Sequence, residues 1–190
     1  MFKLESKLCQ ITKSLFSLFV FSEKGILKLT KEIYFVQLIL IFLIVDIGWP
    51  IIVTVYFKKN ILHITLHSVL EGIILAPLSL LLLAIIFYGI NFLFKKVVSF
   101  KSVLQITISL KIIEHGFFIP LLFVILITFP TNEISIWTGI IIIAQIFWEL
   151  FVLMYFGETI IMNSKSKSIL ISIITMLLYI IITTIPTLVK

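Results

Sequence analysis

Five long apolar segments take up most of this chain, and the lysines cluster mainly at one end of each of them. No other feature constrains the fold as strongly. A bilayer accepts only elements whose backbone groups are hydrogen-bonded internally, which means helices or closed barrels. A helix needs about 20 apolar residues to cross it. The segments read as spans over about Ile33–Phe57, His67–Phe94, Ser102–Phe129, Ile134–Phe156 and Ile169–Leu188. Five spans and their loops use up 190 residues, which leaves no room for a separate soluble catalytic domain. The chain is 61% hydrophobic with a mean hydropathy of +1.28, more apolar surface than a soluble domain of this size can hide. The expected fold class is all-α: an integral membrane bundle of five transmembrane helices with an N-terminal amphipathic interfacial helix.

The domain reading is a cytoplasmic amphipathic arm over 1–31 and a five-span domain over 32–190. In the arm, Leu4, Leu8, Ile11, Leu15 and Phe19 recur at helical spacing, and Lys3, Lys7, Gln10, Lys13 and Ser17 take the other side. Such a helix lies on a lipid surface. Lys7 and Lys13 interrupt the apolar run, and no small-residue cleavage site follows, so it is a poor secretory leader.

Every one of the 15 basic residues counted as Lys or Arg is a lysine. Six lie in the N-terminal segment, three in the loop with Lys95, Lys96 and Lys101, and two at Lys165 and Lys167. Lys58, Lys59 and Lys190 fall on the other side. The positive-inside rule then places the N-terminus in the cytoplasm and the C-terminus outside, in a multi-pass cell-membrane protein. The net charge of +6 is therefore topological, with anionic lipid at the cytoplasmic face as its partner and no nucleic acid. Cys9 is the only cysteine, so an intrachain disulfide is excluded.

The residues that could carry chemistry are the ionisable ones inside the spans: Asp46, Glu71, Lys111, Glu114, His115 and Glu149. A charge at the bilayer centre costs about 2.5–3.5 kcal/mol on insertion scales. The carboxylates outnumber the lysine, so some must be protonated, face water or meet a partner. At about 1.5 Å per residue, Lys111 and Glu149 both lie roughly 10–14 Å from the cytoplasmic ends of sequential spans. Lys111 is thus expected to pair with Glu149 or Glu114, within an intramembrane polar network of Asp46, Lys111, Glu114, His115, Gln145 and Glu149. Asp46 and Glu114 both fall near the midplane.

His63, His67 and Glu71 follow one another at four-residue intervals, an outer-face polar stripe on one side of a helix. Two histidines and a carboxylate can hold zinc. The spacing is not HExxH, and no glutamate sits between the histidines as a base. The reading favours interfacial polar contacts, with no metal and no cofactor. Pro50, Pro77 and Pro120 each lie inside a span and free the carbonyls of Asp46, Ile73 and Gly116. Trp137 reads as an interfacial anchor, with Trp148 deeper in the same span. There is no G-x-x-x-x-G-K-[ST] and no G-x-S-x-G.

From Lys95 onward several stretches resemble the Yip-type (Yip/Yif) family of small five-span membrane proteins, in particular its bacterial branch. They are Lys96-Val97-Val98-Ser99-Phe100-Lys101-Ser102-Val103-Leu104, then Ile146-Phe147-Trp148-Glu149-Leu150, Tyr155-Phe156-Gly157, and Ser164-Lys165-Ser166-Lys167-Ser168-Ile169-Leu170. The acidic-Tyr-Gly-Pro motif of the eukaryotic arm is absent, so the resemblance implies no small-GTPase partner. It implies no catalytic residues either. Some bacterial relatives are encoded beside ABC exporters and serve in toxin or bacteriocin resistance. The expected function is a non-enzymatic accessory subunit of a bacterial inner-membrane complex, such as an ABC exporter or a bacteriocin or toxin immunity system. It would associate with other membrane subunits through the polar faces of spans three and four. Two alternatives stand beside it: a small proton- or ion-coupled transporter using Asp46, Glu114, His115 and Glu149, and a metal-dependent membrane enzyme using His63, His67 and Glu71.

Overall fold

A computed structural model describes residues 9–16, 20, 27, 29–30, 35–56, 61–94, 98–128, 131–161 and 163–188. The described residues are helical with no strand among them. Six helices are labelled here: α1 (Phe35–Tyr56), α2 (Ile61–Leu93), α3 (Phe100–Ile113), α4 (Ile119–Thr128), α5 (Thr131–Thr159) and α6 (Lys165–Leu188). A π-helical turn, Glu114–Phe118, joins α3 to α4 without a break in the helical path.

Three stretches are long and apolar enough to cross a membrane: Phe100–Ile125, Ile136–Thr159 and Lys165–Thr183. Among the described residues two shorter apolar helical stretches, Phe35–Gly48 and Pro77–Leu93, accompany them.

Local sequence sets the boundaries. Ser99 caps α3: its backbone is extended, and its Oγ accepts from the Ser102 backbone N–H at 3.1 Å. That satisfies one of the donors a helix start leaves open. The π turn answers to Pro120. Proline has no N–H, and its ring crowds the carbonyl four residues back, here Gly116. Widening the helix relieves this, and the Ile119 N–H reaches back five residues to the Glu114 carbonyl.

The third helix packs on α1, α2, α5 and the π turn. The second helix packs on α1, α3 and α6, while α5 packs on α6, α3, α4 and the π turn. The first helix completes the circuit against α3 and the π turn. From Gln105 to Ile113 every residue of α3 is buried. Phe87 meets Phe156 with ring centroids 5.9 Å apart, which ties α2 to α5.

Polarity is arranged inside out relative to a soluble protein. Val36, Leu40 and Ile44 on α1, Ile140, Ile143 and Phe147 on α5, and Leu177 and Ile181 on α6 are exposed. Asp46, Asn91, Lys111, Glu149, Asn163, Ser172 and Thr175 are buried. An outer surface this apolar is stable only against lipid or other protein. Several buried hydroxyls satisfy themselves on their own helix: Thr107 on the Val103 carbonyl at 3.1 Å, Ser109 on Gln105 at 2.8 Å, and Thr175 on Ile171 at 2.7 Å.

The N-terminal amphipathic face is turned the expected way over residues 9–16, with Ile11 and Ser14 buried and Gln10 and Lys13 exposed. It meets protein, however: Thr12, Leu15 and Phe16 form one wall of an apolar groove of about 270 Å³ whose other wall is Ile112, Ile113, Gly116 and Phe117. The rest of the arm, including Leu4, Leu8 and Phe19, lies outside the described residues.

At Gly157, α5 approaches Ser168 of α6 closely. A β-carbon there would stand 3.0 Å from Ser168 Oγ and 3.3 Å from Ser168 Cβ. Helices in an apolar solvent gain little from burying more apolar surface, so close backbone packing over small residues carries much of their association. Gly157→Ala is expected to cost about 1–3 kcal/mol by overpacking. Ser168→Gly in the same chain is expected to recover most of that loss. Thermal unfolding of the purified single and double variants checks both.

Candidate functional site: an intramembrane ion cluster

The middle of the bundle holds charges. Lys111, on the last turn of α3, donates from Nζ to Glu114 Oε2 one turn later in the π turn. The same Nζ lies 4.0 Å from Glu149 Oε1 on α5. Gln145, one turn before Glu149, donates from Nε2 to that oxygen at 3.1 Å. The ammonium also sits 5.3 Å from the centroid of the Tyr179 ring on α6, within range of a cation–π contact. Lys111 and Glu149 keep only 6% and 2% of their surface.

Beside this triple is a second pair. His115 follows Glu114 in the chain but faces α1, where its Nδ1 is 2.5 Å from Asp46 Oδ1. Phe42, one turn earlier on α1, covers the imidazole with ring centroids 6.0 Å apart. Asp46 is buried, and its Oδ2 has no hydrogen-bond partner among the described residues. The π turn thus sends consecutive side chains to different neighbours, Glu114 back to Lys111 and His115 to α1. Lys111 through His115 occupy the middle of the Phe100–Ile125 stretch, and Glu149 the middle of Ile136–Thr159, so the cluster is at mid-depth.

All six residues expected in the polar network therefore lie in or beside one cluster. The expected Lys111 pairing holds for both named partners. Asp46 and Glu114 share a depth as expected, but Asp46 takes His115 as its partner. Glu149 is interior, so its face of α5 meets this chain rather than another. Trp148 is likewise buried, 5.7 Å from Phe118 between ring centroids, while Trp137 is exposed.

The stripe of His63, His67 and Glu71 lies on α2, where helical backbone keeps its one-face register. The side chains of these three residues are outside the described ones. Among the described residues no group of three His, Cys, Asp or Glu side chains could hold a metal ion.

A second polar cluster escaped the sequence reading. Asn91 Nδ2 donates to the Phe87 carbonyl at 2.8 Å, and Asn163 Nδ2 donates to Asn91 Oδ1 at 3.3 Å. This joins the end of α2 to the approach to α6, where the Asn163 N–H also donates to the Gly157 carbonyl at 3.1 Å. Asn91 sits near the lysine-rich end of an apolar run, where asparagine is common, so nothing in its local sequence marks it.

No family model matches the chain, and neither a curated protein nor a solved structure matches it.

The ammonium of Lys111 holds two carboxyl groups in place, Glu114 and Glu149. Removing one partner of a buried ion pair costs about 3–5 kcal/mol, because the other charge is stranded. Lys111→Met is expected to destabilise the protein by that amount. Glu114→Gln and Glu149→Gln, added to Lys111→Met, are expected to restore most of it, with a melting curve as the readout. Independent, additive losses would show that the three groups do not act as a unit.

Proposed function

We infer that the chain is a five-span membrane protein, N-terminus in the cytoplasm and C-terminus outside, that works without catalysing a reaction, as a subunit of a larger membrane complex. The lysine distribution and the three long apolar helices support the span reading, with α1 and α2 as the other two spans.

One observation carries the subunit reading. The fifth helix exposes Ile136, Ile140, Ile143 and Phe147 along one side, and beside them Gly139 has nothing within 4 Å of the position its β-carbon would take. A glycine on an open apolar helix face lets a second helix approach closely, which is how helices associate where lipid competes for every apolar contact. The ion cluster is buried in the chain's own core, so the surface left for a partner is this apolar one and not the face of Glu149.

The Yip-type resemblance suggests the class of partner, an exporter or an immunity system against a toxin or bacteriocin. All four stretches that carry it have structural work within this chain: Ser99 as the cap of α3, Trp148-Glu149 in the core, and Gly157 against Ser168.

Two measurements test the reading. Cys9 is exposed, and a membrane-impermeant thiol reagent is expected to label it only after the cytoplasmic face is opened. Labelling in intact spheroplasts would reverse the topology. In a Cys9→Ser background, Ile140→Cys and Ile143→Cys are expected to crosslink in native membranes to one and the same protein. Leu177→Cys, on the exposed side of α6, which has no glycine, is the control. Equal crosslinking from all three sites would make the α5 face ordinary lipid-facing surface.

A further inference from the structure

We propose that the buried ion cluster is a binding site for one exchangeable proton, held by Glu149 beside the Lys111–Glu114 ion pair. The argument begins with a count of charge. Three carboxyl groups, Asp46, Glu114 and Glu149, face two basic groups, Lys111 and His115. Even with His115 cationic, one carboxylate has no counter-charge. The groups that face the cluster come from α1 (Asp46), α3 (Lys111), the π turn (Glu114 and His115), α5 (Gln145 and Glu149) and α6 (Tyr179). Gln145 and Tyr179 bring no positive charge. An unpaired carboxylate away from water is far costlier than a neutral acid, and a proton is the smallest cation that removes the charge.

Geometry says which group carries it. Asp46 is committed to His115 at 2.5 Å, and Glu114 takes the direct hydrogen bond from Lys111. Glu149 is the outlying carboxyl, 4.0 Å from the ammonium. Its Oε1 is already engaged by Gln145, which leaves Oε2 to carry the hydrogen. A second and independent feature makes the proton exchangeable. Asp46 Oδ2, in the pair beside this triple, is buried without a hydrogen-bond partner among the described residues. It is an acceptor without a donor in the neighbouring pair. A proton that leaves Glu149 turns its acid into a carboxylate beside Lys111, and one that arrives at Asp46 turns that carboxylate into an acid. No bond other than O–H forms or breaks.

Infrared spectroscopy of the purified full chain in phosphatidylglycerol vesicles at neutral pH tests this. The carbonyl stretch of a protonated carboxylic acid is expected in the unmodified protein, and it should shift in heavy water as the proton exchanges. Glu149→Gln, which keeps the size and the Gln145 contact, is expected to abolish it. Glu114→Gln is expected to abolish it as well, because Lys111 is then free to neutralise Glu149. That variant serves if Glu149→Gln does not fold. Asp46→Asn is expected to leave the band in place. Absence of the band from the unmodified protein, or its survival in both glutamate variants, would overturn the proposal. Neither result depends on whether the chain has a partner.

Discussion

An ammonium group far from water is the constraint to which much of this bundle answers. Lys111 costs several kcal/mol to bury, and only close carboxylates in good geometry offset that. One of them, Glu114, is local, a turn further along the same helical run. The other, Glu149, belongs to α5. To bring it within 4.0 Å, α3 and α5 must adopt one relative rotation and one relative height. The apolar contacts between them could be repacked in several registers at little cost, because lipid is as good a surrounding for isoleucine as another helix. The ion pair has no such freedom, so it selects the register.

The π turn belongs to the same arrangement. An unbroken α-helix through Pro120 would leave the Gly116 carbonyl without its bond and pressed by the ring. The wider turn settles that conflict, and in doing so it directs His115 to Asp46 while Glu114 turns back to Lys111. Elsewhere the interior follows a simpler rule. Thr107, Ser109 and Thr175 bond to their own helix, so they can be buried without placing demands on a neighbour. The asparagine pair and the ion cluster do place such demands, and they lie at two different levels of the bundle. Between them they hold α2 to the α6 approach and α3 to α1 and α5.

The stretches around Ser99, Trp148, Gly157 and Ser168 show how short motifs can report physics. A serine before an apolar run is what any helix start needs. A glycine opposite a serine is what any close helix crossing needs. The buried Trp148-Glu149 step is more particular, because a buried carboxyl group needs polar partners, and Gln145 and Lys111 supply them.

The apolar segments and the lysines around them were enough to read an all-helical chain, because lipid requires continuous apolar helices whatever they pack against. Depth along the helix axis was enough to bring Lys111 to Glu149, since their spans are sequential and a short connection makes them neighbours, and Glu114 stands one turn from Lys111 on the same span. Depth could not choose Asp46 for His115. That contact needs α1 beside the π turn, an adjacency between elements far apart in sequence. Nor could local pattern reveal Asn91 with Asn163, or the use of Gly157, because each takes its meaning from a surface supplied by another helix. The orientation of the N-terminal apolar face was legible in its spacing, but what it rests on was not: an amphipathic stripe records that one side is apolar, and the same stripe suits lipid or the flank of α3. Composition and periodicity act through the solvent, and so they are written in the sequence. The choice of partners inside the bundle depends on which helices touch, and only the tertiary structure decides that.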